Sequence, residues 1–334
     1  MLLKKGILTI ICTSFFATCL LAQEEPKKAM PNPPNLDNNQ ATELKTPETE
    51  EDWSHKFHLR VSNSVHRSAI WFDSFFMEEG DEQISPKTSA RIKVGWEPKA
   101  RDWSEVGARF KLKVRLPHFK DKVDVIFSDS DEDQFDNLPL ESIKVNQELD
   151  DANFAAAIRY IFKDKENYVT DTRLGISGGD IFIRARHKRT YNWLENHSFK
   201  FEPALYYYLD DGFGSRLLLE YNYQINDSEQ YRINYSIRGS ESFHGIRWKH
   251  GFYHLKQLSN DKASIWGLQA EGERNGERGF VVDKYTLSYR YRFNALKEWL
   301  FFEIEPFFEF AEEENYKTTP GLALRVEGFF TKHD

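Results

Sequence analysis

Hydrophobic and polar residues alternate through most of this chain from about residue 87 onward. The clearest stretch is residues 105 to 117, EVGARFKLKVRLP. There Val106, Ala108, Phe110, Leu112, Val114 and Leu116 alternate with Gly107, Arg109, Lys111, Lys113 and Arg115. A period of two describes a strand with one apolar face and one basic face. The same period runs through Ala90, Ile92, Val94 and Trp96, then KVDVIFSD, NFAAAIRYIF, YVTDTRLGIS, DIFIRARHK and SFKFEPALYYYL. It continues through GSRLLLEYNYQ, QYRINYSIRG, FHGIRWKHGFYHL, ASIWGLQAEG, FVVDKYTLSYRYRF, EWLFFEIEPFFEF and PGLALRVEGFF. Most segments run about 9 to 13 residues between polar turns such as SGGD, DDGFG and NDSEQ, the length a tilted strand needs to cross a bilayer. The count is fourteen strands, or twelve if two of the shorter segments are excursions.

Ahead of the strands the period changes. In HLRVSNSVHRSAIWFDSFF, Val61, Val65, Ala69, Phe72 and Phe76 fall at spacings of four, four, three and four, one face of a helix. This predicts an amphipathic helix and lead-in over 53–86, packed against the rest of the protein or, on a second reading, plugging a lumen. Residues 23–52 are rich in Pro, Asn and Glu and nearly free of large apolar groups, so they read as a disordered tether. Residues 1–22 place Lys4 and Lys5 before the apolar run GILTIICTSFFATCLLA, the pattern of a cleaved secretory signal peptide. Lipidation at Cys19 is the weaker alternative, because Thr18 before it fits poorly. The barrel then spans 87–330, with 331–334 as a tail.

Composition narrows the solvent question. Both cysteines, Cys12 and Cys19, lie in the leader, which excludes a disulfide framework and thiolate metal sites from the mature chain. The net charge of -8 becomes -10 once Lys4 and Lys5 leave with no acidic residue, and gives no support for nucleic-acid binding. Yet 27 Phe, 15 Tyr and 8 Trp accompany this polarity. A barrel in lipid, half apolar and half polar along every strand, accommodates both.

Thr319, Gly321, Leu324 and Val326 carry the polar-x-Gly-x-x-apolar-x-apolar pattern found on the last strand of membrane barrels. Here the chain resembles Gram-negative single-chain outer-membrane β-barrel proteins. It departs from their pattern by running on through Gly328, Phe329 and Phe330 before TKHD. Trp71, Asp73, Phe75 and Phe76 look like the entry to an uncharacterised proteobacterial barrel group, which brings no known activity. The resemblance implies an all-β, antiparallel up-and-down transmembrane barrel in the outer membrane. It also implies insertion by the barrel assembly machinery and outer-membrane lipid as a partner.

The charges then assign the faces. Arg or Lys facing lipid near the midplane costs ~2 to 4 kcal/mol each, so the polar faces must share one wet lumen. Its expected lining is Arg109, Lys111, Lys113, Arg115, Arg184, Arg186, Lys188, Arg290, Arg292, Glu303, Glu305, Glu309, Arg325 and Glu327, with Arg91 and Lys93 meeting the last strand across the closure. These groups either attract a small anionic solute or form a salt-bridge network that fills the lumen.

Other chemistry is weaker. The run Asp129, Asp131, Glu132 and Asp133 reads as a solvated outer loop rather than a cation site. His250 and His254 stand ~13 Å apart on a strand, too far for one metal ion. Ser242 and His244 lack any surrounding signature of a lipid hydrolase, and Gly212 and Gly214 read as a hairpin turn. No cofactor, metal or catalytic residue is expected. The leading function is a channel or binding barrel for a small anionic solute. A non-conducting barrel that anchors a partner is the alternative, and a lipid hydrolase the least favoured.

Overall fold

The computed structural model describes Trp71, Phe75 and residues 88–100, 106–120, 122–129, 137–141, 154–165, 167–194, 196–276, 279–297 and 299–332. The strands are β1 (Thr88–Trp96), β2 (Val106–Leu116), β3 (Val123–Ser128), β4 (Ala155–Lys165), β5 (Tyr168–Ser177), β6 (Asp180–Trp193) and β7 (His197–Tyr208). They continue as β8 (Gly212–Asn226), β9 (Glu229–Ser240), β10 (Gly245–Ser259), β11 (Lys262–Asn275), β12 (Gly279–Asn294), β13 (Leu300–Ala311) and β14 (Thr318–Lys332). Each pairs antiparallel with its chain neighbours, and β1 pairs with β14 to close the barrel. Fourteen is the larger of the two expected counts. The amphipathic helix over 53–86 lies outside the described residues, apart from Trp71 and Phe75.

Closure follows from the medium. In hydrocarbon no water can satisfy a free strand edge, so a spanning sheet must end where it began. The register at the seam sets Val94 against Val326 outside and Lys93 against Glu327 inside. An even strand number also brings Thr88 and Lys332 to the same end, with the β3–β4 connection emerging at the opposite one.

Burial alternates as the period demands. On β4 and β5, Ile158 and Leu174 are each 56% exposed, while Arg159 and Arg173 beside them are 1% and 8% exposed. A wall of exposed Ile, Leu, Val and Phe around the whole circumference is untenable in water and is the normal lipid face of a barrel. Aromatic rings collect at the two rims of this wall. Trp193, Tyr221, Tyr223, Phe293, Phe302, Trp299 and Phe330 mark the end where the termini emerge. Tyr207, Phe213, Tyr285 and Tyr316 mark the other. These are the interfacial girdles of a spanning protein.

Three prolines sit inside the described strands. Pro320 lies near the start of β14 and leaves its register with β13 unbroken, whereas Pro203 and Pro306 each interrupt a ladder because proline has no N–H to donate. Pairing of β6 with β7 lapses between Arg186–Ala204 and Arg189–Phe201, around Pro203. Pairing of β12 with β13 lapses between Ser288–Phe307 and Tyr291–Ile304, around Pro306.

Glycines have a second use on the inner wall. Gly214 lies within β8 rather than in a hairpin turn, opposite Tyr206, and a methyl group there would stand 2.2 Å from the tyrosine ring. Gly321 is opposite Phe307 in the same way, also at 2.2 Å. The absent side chain lets each ring lie flat against the wall instead of projecting into the lumen. Gly321→Val should therefore lower barrel stability by ~1 to 3 kcal/mol through overpacking, read as a lower midpoint of heat-modifiable migration. Gly276→Ala, with open space around it, should leave the midpoint unchanged.

Candidate functional site

Every strand contributes its inward alternates to one interior, and the polar side chains buried there are mostly charged. Among the described residues, eleven lysines and arginines are buried there (Lys93, Arg159, Arg173, Arg184, Lys188, Arg216, Arg232, Arg238, Arg290, Arg292 and Arg325). Ten carboxylates accompany them: Glu97, Asp124, Asp129, Asp171, Glu202, Glu220, Glu303, Glu305, Glu309 and Glu327. Half-buried on the same faces stand Arg109, Lys111, Lys113, Arg115, Arg186, Lys200, Lys249 and Lys284, against the strand carboxylates Glu271 and Glu273. The inner wall is therefore basic although the whole chain is acidic.

The densest cluster lies at the seam. Arg292 donates from Nη1 to Glu303 Oε1 and Glu327 Oε2, both at 2.6 Å, and the ring of Phe301 lies 4.4 Å from its Cζ. Lys93 Nζ is 3.0 Å from Glu303, and Arg91 pairs with Glu327. Arg325 donates to Glu97 at 2.6 Å and to Glu305, and Arg290 reaches Glu305 at 3.2 Å. Arg292 and Glu327 have no solvent-exposed surface. Glu309 pairs with Lys99 at 3.4 Å, at the end of the barrel away from the termini.

A second cluster gathers cations around two aspartates. Asp124 takes Arg115 at 2.8 Å, Arg159 at 3.3 Å and Lys113 at 3.7 Å. Asp171 takes Arg159 and Arg186, each at 2.9 Å, with Arg173 at 4.0 Å. Arg109 lies 3.6 Å from Asp129, Lys111 stands opposite Ser128, and Arg184 lies over the Phe182 ring at 5.4 Å. Glu220 holds Lys200 at 3.1 Å on the far wall.

Asp124, Arg159, Asp171, Arg173, Glu220 and Arg232 carry the same inward alternation on noisier strands and join the lining beyond the residues expected from the sequence. Glu97 continues the inward alternation of Arg91 and Lys93 just past the end of β1, and it is buried. The β3–β4 connection differs most from expectation. Of the acidic run, Asp131, Glu132 and Asp133 lie outside the described residues, while Asp129 is buried at the end of β3; farther along, Leu138 and Leu140 are buried as well. Here Arg216 donates to the Asn137 carbonyl and Arg290 to that of Leu140, each at 3.1 Å.

His250 and His254 alternate with the inward positions of β10 and face outward. His254 bonds Glu229 at 2.7 Å and lies beside Tyr231, and no group of metal-ligating side chains occurs among the described residues. Ser242 Oγ lies 3.2 Å from Ser240 Oγ in the β9–β10 turn.

No protein-family model matches the chain, and no curated protein matches it in sequence. Among solved structures it is similar to a loop L8 deletion mutant of OmpT, an outer membrane protein of Vibrio cholerae. That likeness has 6% identity and a TM-score of 0.48, covering 74% of this chain and 99% of that one. It is similar also to the outer membrane channel DcaP of Acinetobacter baumannii, at 9% identity over 73% of this chain and 96% of that one, TM-score 0.44. OpdK of Pseudomonas aeruginosa matches at 8% identity over 73% and 98%, TM-score 0.43. With identities this low and each of these TM-scores below 0.5, the likenesses carry no argument by themselves. The closed ladder, apolar wall and paired girdles make the chain a membrane-spanning β-barrel on its own surfaces.

The seam cluster predicts a specific cost. Arg292→Met leaves Glu303 and Glu327 short of their shared cation, and removing one partner of a buried pair costs ~3 to 5 kcal/mol. Urea unfolding in detergent should show that loss, and Arg292→Met/Glu303→Gln/Glu327→Gln should regain much of it. A single-variant loss below ~0.5 kcal/mol, the ordinary range for surface changes, would contradict the role assigned to the cluster.

Proposed function

We propose that this barrel is a narrow outer-membrane channel, or solute-binding barrel, for a small anionic solute. The observation that carries the reading is the placement of like charges directly across the ladder. Arg159 faces Arg173, which faces Arg184. Arg216 faces Arg238, which faces Arg247. Arg91 and Lys93 face Lys111 and Arg109. Side chains in such positions stand ~4.5 to 5.5 Å apart at Cβ, and like charges there are destabilising. A wall built only for its own stability has no use for three such rows. A wall that lowers the entry cost of an anion does, because fixed cations supply the attraction that water gives up.

The carboxylates at Asp124, Asp171 and the seam keep the rows from repelling one another. On this reading Arg109, Lys111, Lys113, Arg115, Arg184, Arg186 and Lys188 form the basic side of the path, and the seam residues Arg290 to Glu327 form its neutralised frame. A second reading, a non-conducting barrel that anchors a partner, is favoured by the complete burial of Arg292 and Glu327. A lipid hydrolase gains nothing from Ser242, whose hydroxyl sits beside that of Ser240.

Reversal potentials across planar bilayers under a salt gradient test the proposal. The protein should pass chloride in preference to sodium, and Arg173→Gln with Arg238→Gln should reduce that ratio at least two-fold while the barrel remains folded. Preference for sodium would overturn the anionic reading, and absence of current would leave the anchoring barrel.

A further inference from the structure

The residues Leu138–Glu141 form a tight turn inside the barrel. The Glu141 N–H donates to the Leu138 carbonyl at 3.0 Å, and the Leu138 N–H returns a bond to Glu141 Oε2 at 2.8 Å. Pro139 occupies the second position, where its fixed φ suits such a turn. Leu140 occupies the third with φ 65°, a left-handed conformation that a branched residue adopts only when its surroundings enforce it.

The surroundings do enforce it, from four strands. Arg216 of β8 donates to the Asn137 carbonyl at 3.1 Å, and Asn234 of β9 donates to that of Pro139 at 2.8 Å. Lys249 of β10 holds the Glu141 carboxylate at 2.9 and 3.0 Å while also lying 3.5 Å from Glu271. Arg290 of β12 donates to the Leu140 carbonyl at 3.1 Å. The Leu140 side chain is buried with Tyr253, Leu255, Ala263 and Ile265 on the inner wall, and Phe75 and Phe301 belong to the same cluster.

Three of these four strands supply cations, and what they hold is a carboxylate and a row of carbonyl oxygens. We infer that Lys249, Arg216 and Arg290 form a carboxylate-binding site that the turn's own Glu141 fills at rest, and that an incoming carboxylate takes its place and withdraws the turn from the lumen. This deepens the anionic reading above and rests on it. The site is the point where an acidic segment of this chain and an acidic solute compete for the same donors. Strain at Leu140 favours release once the Lys249 contact is lost, because a left-handed leucine persists only while packing holds it. The occupant is small, since a single glutamate side chain with its neighbouring carbonyls fills the site.

Planar-bilayer currents of the full chain test this, with succinate as the probe and chloride at equal ionic strength as the comparison. Succinate should raise the mean current of the native protein several-fold over chloride. Glu141→Gln should conduct at that raised level without succinate. Glu141→Lys/Lys249→Glu should close the path again and lose the succinate response, because a glutamate at 249 repels a carboxylate. A pair of cysteines at 141 and 249, bridged by a short reducible bis-thiosulfonate reagent, should be silent until reduced. This last comparison uses one folded protein in two states, so it stands even if another variant folds poorly.

Equal currents from the native protein, Glu141→Gln and the bridged pair would overturn the inference, as would equal responses to chloride and succinate. A Glu141→Gln protein that opens but prefers cations would support the latch and sink the anionic reading on which its ligand rests. Equal, anion-preferring currents from the native and bridged proteins would sink the latch and leave the anionic reading standing.

Discussion

A polypeptide that crosses hydrocarbon as a ribbon must find a partner for every backbone N–H and C=O, and it can do so only by closing on itself. The rest of this structure depends on that constraint. Fourteen strands meet at a seam where β1 pairs with β14, and closure turns fourteen separate alternations into two continuous surfaces. One surface is apolar and rimmed with aromatic rings. The other collects the remaining side chains into a single interior, whatever their charges.

That forced assembly explains the crowding inside. Removing a charge from water is costly, and a buried pair recovers the cost only when its geometry is good and its other hydrogen bonds are made. The seam shows one solution, in which Arg292 is shared by two glutamates and flanked by Phe301. The β2–β6 wall shows another, with two aspartates surrounded by cations. The basic rows on β4–β6 and β8–β10 set arginines side by side across the ladder: Arg159 and Arg173 reach Asp171, whereas Arg216 turns to the Ser236 hydroxyl and the Asn137 carbonyl. They leave the interior with a demand for anionic groups, which the β3–β4 turn meets in part through Glu141 and its carbonyls.

Strand positions and inward faces were legible because a period of two survives in any strand that separates oil from ions, although the count stood open between twelve and fourteen and DIFIRARHK stops five residues short of the end of β6. EVGARFKLKVRLP on β2 is the plainest case, and TLSYRYRF on β12 reads the same way. β3 was harder, since VDVIFS is short and carries an apolar residue, Ile126, on its inner face. The turn at 137–141 was not legible, because its placement depends on donors from four distant strands and not on any local pattern. Composition alone made Asp129 look solvated, whereas it is buried at the end of β3. Gly214 misled for a related reason: a glycine beside a turn resembles part of it until the ring of Tyr206 is seen lying over it. The helix over 53–86 stays an expectation, as its residues other than Trp71 and Phe75 are outside the described set.

The assignment of the two surfaces is most directly tested by nitroxide labels placed one at a time along β6, from Ile181 to Ala185, in the protein reconstituted into lipid vesicles. Labels at 181, 183 and 185 should be relaxed by oxygen dissolved in the bilayer and shielded from a water-soluble nickel chelate, while labels at 182 and 184 show little access to oxygen. Uniform access to the nickel chelate at all five positions, with no period of two, would contradict the account.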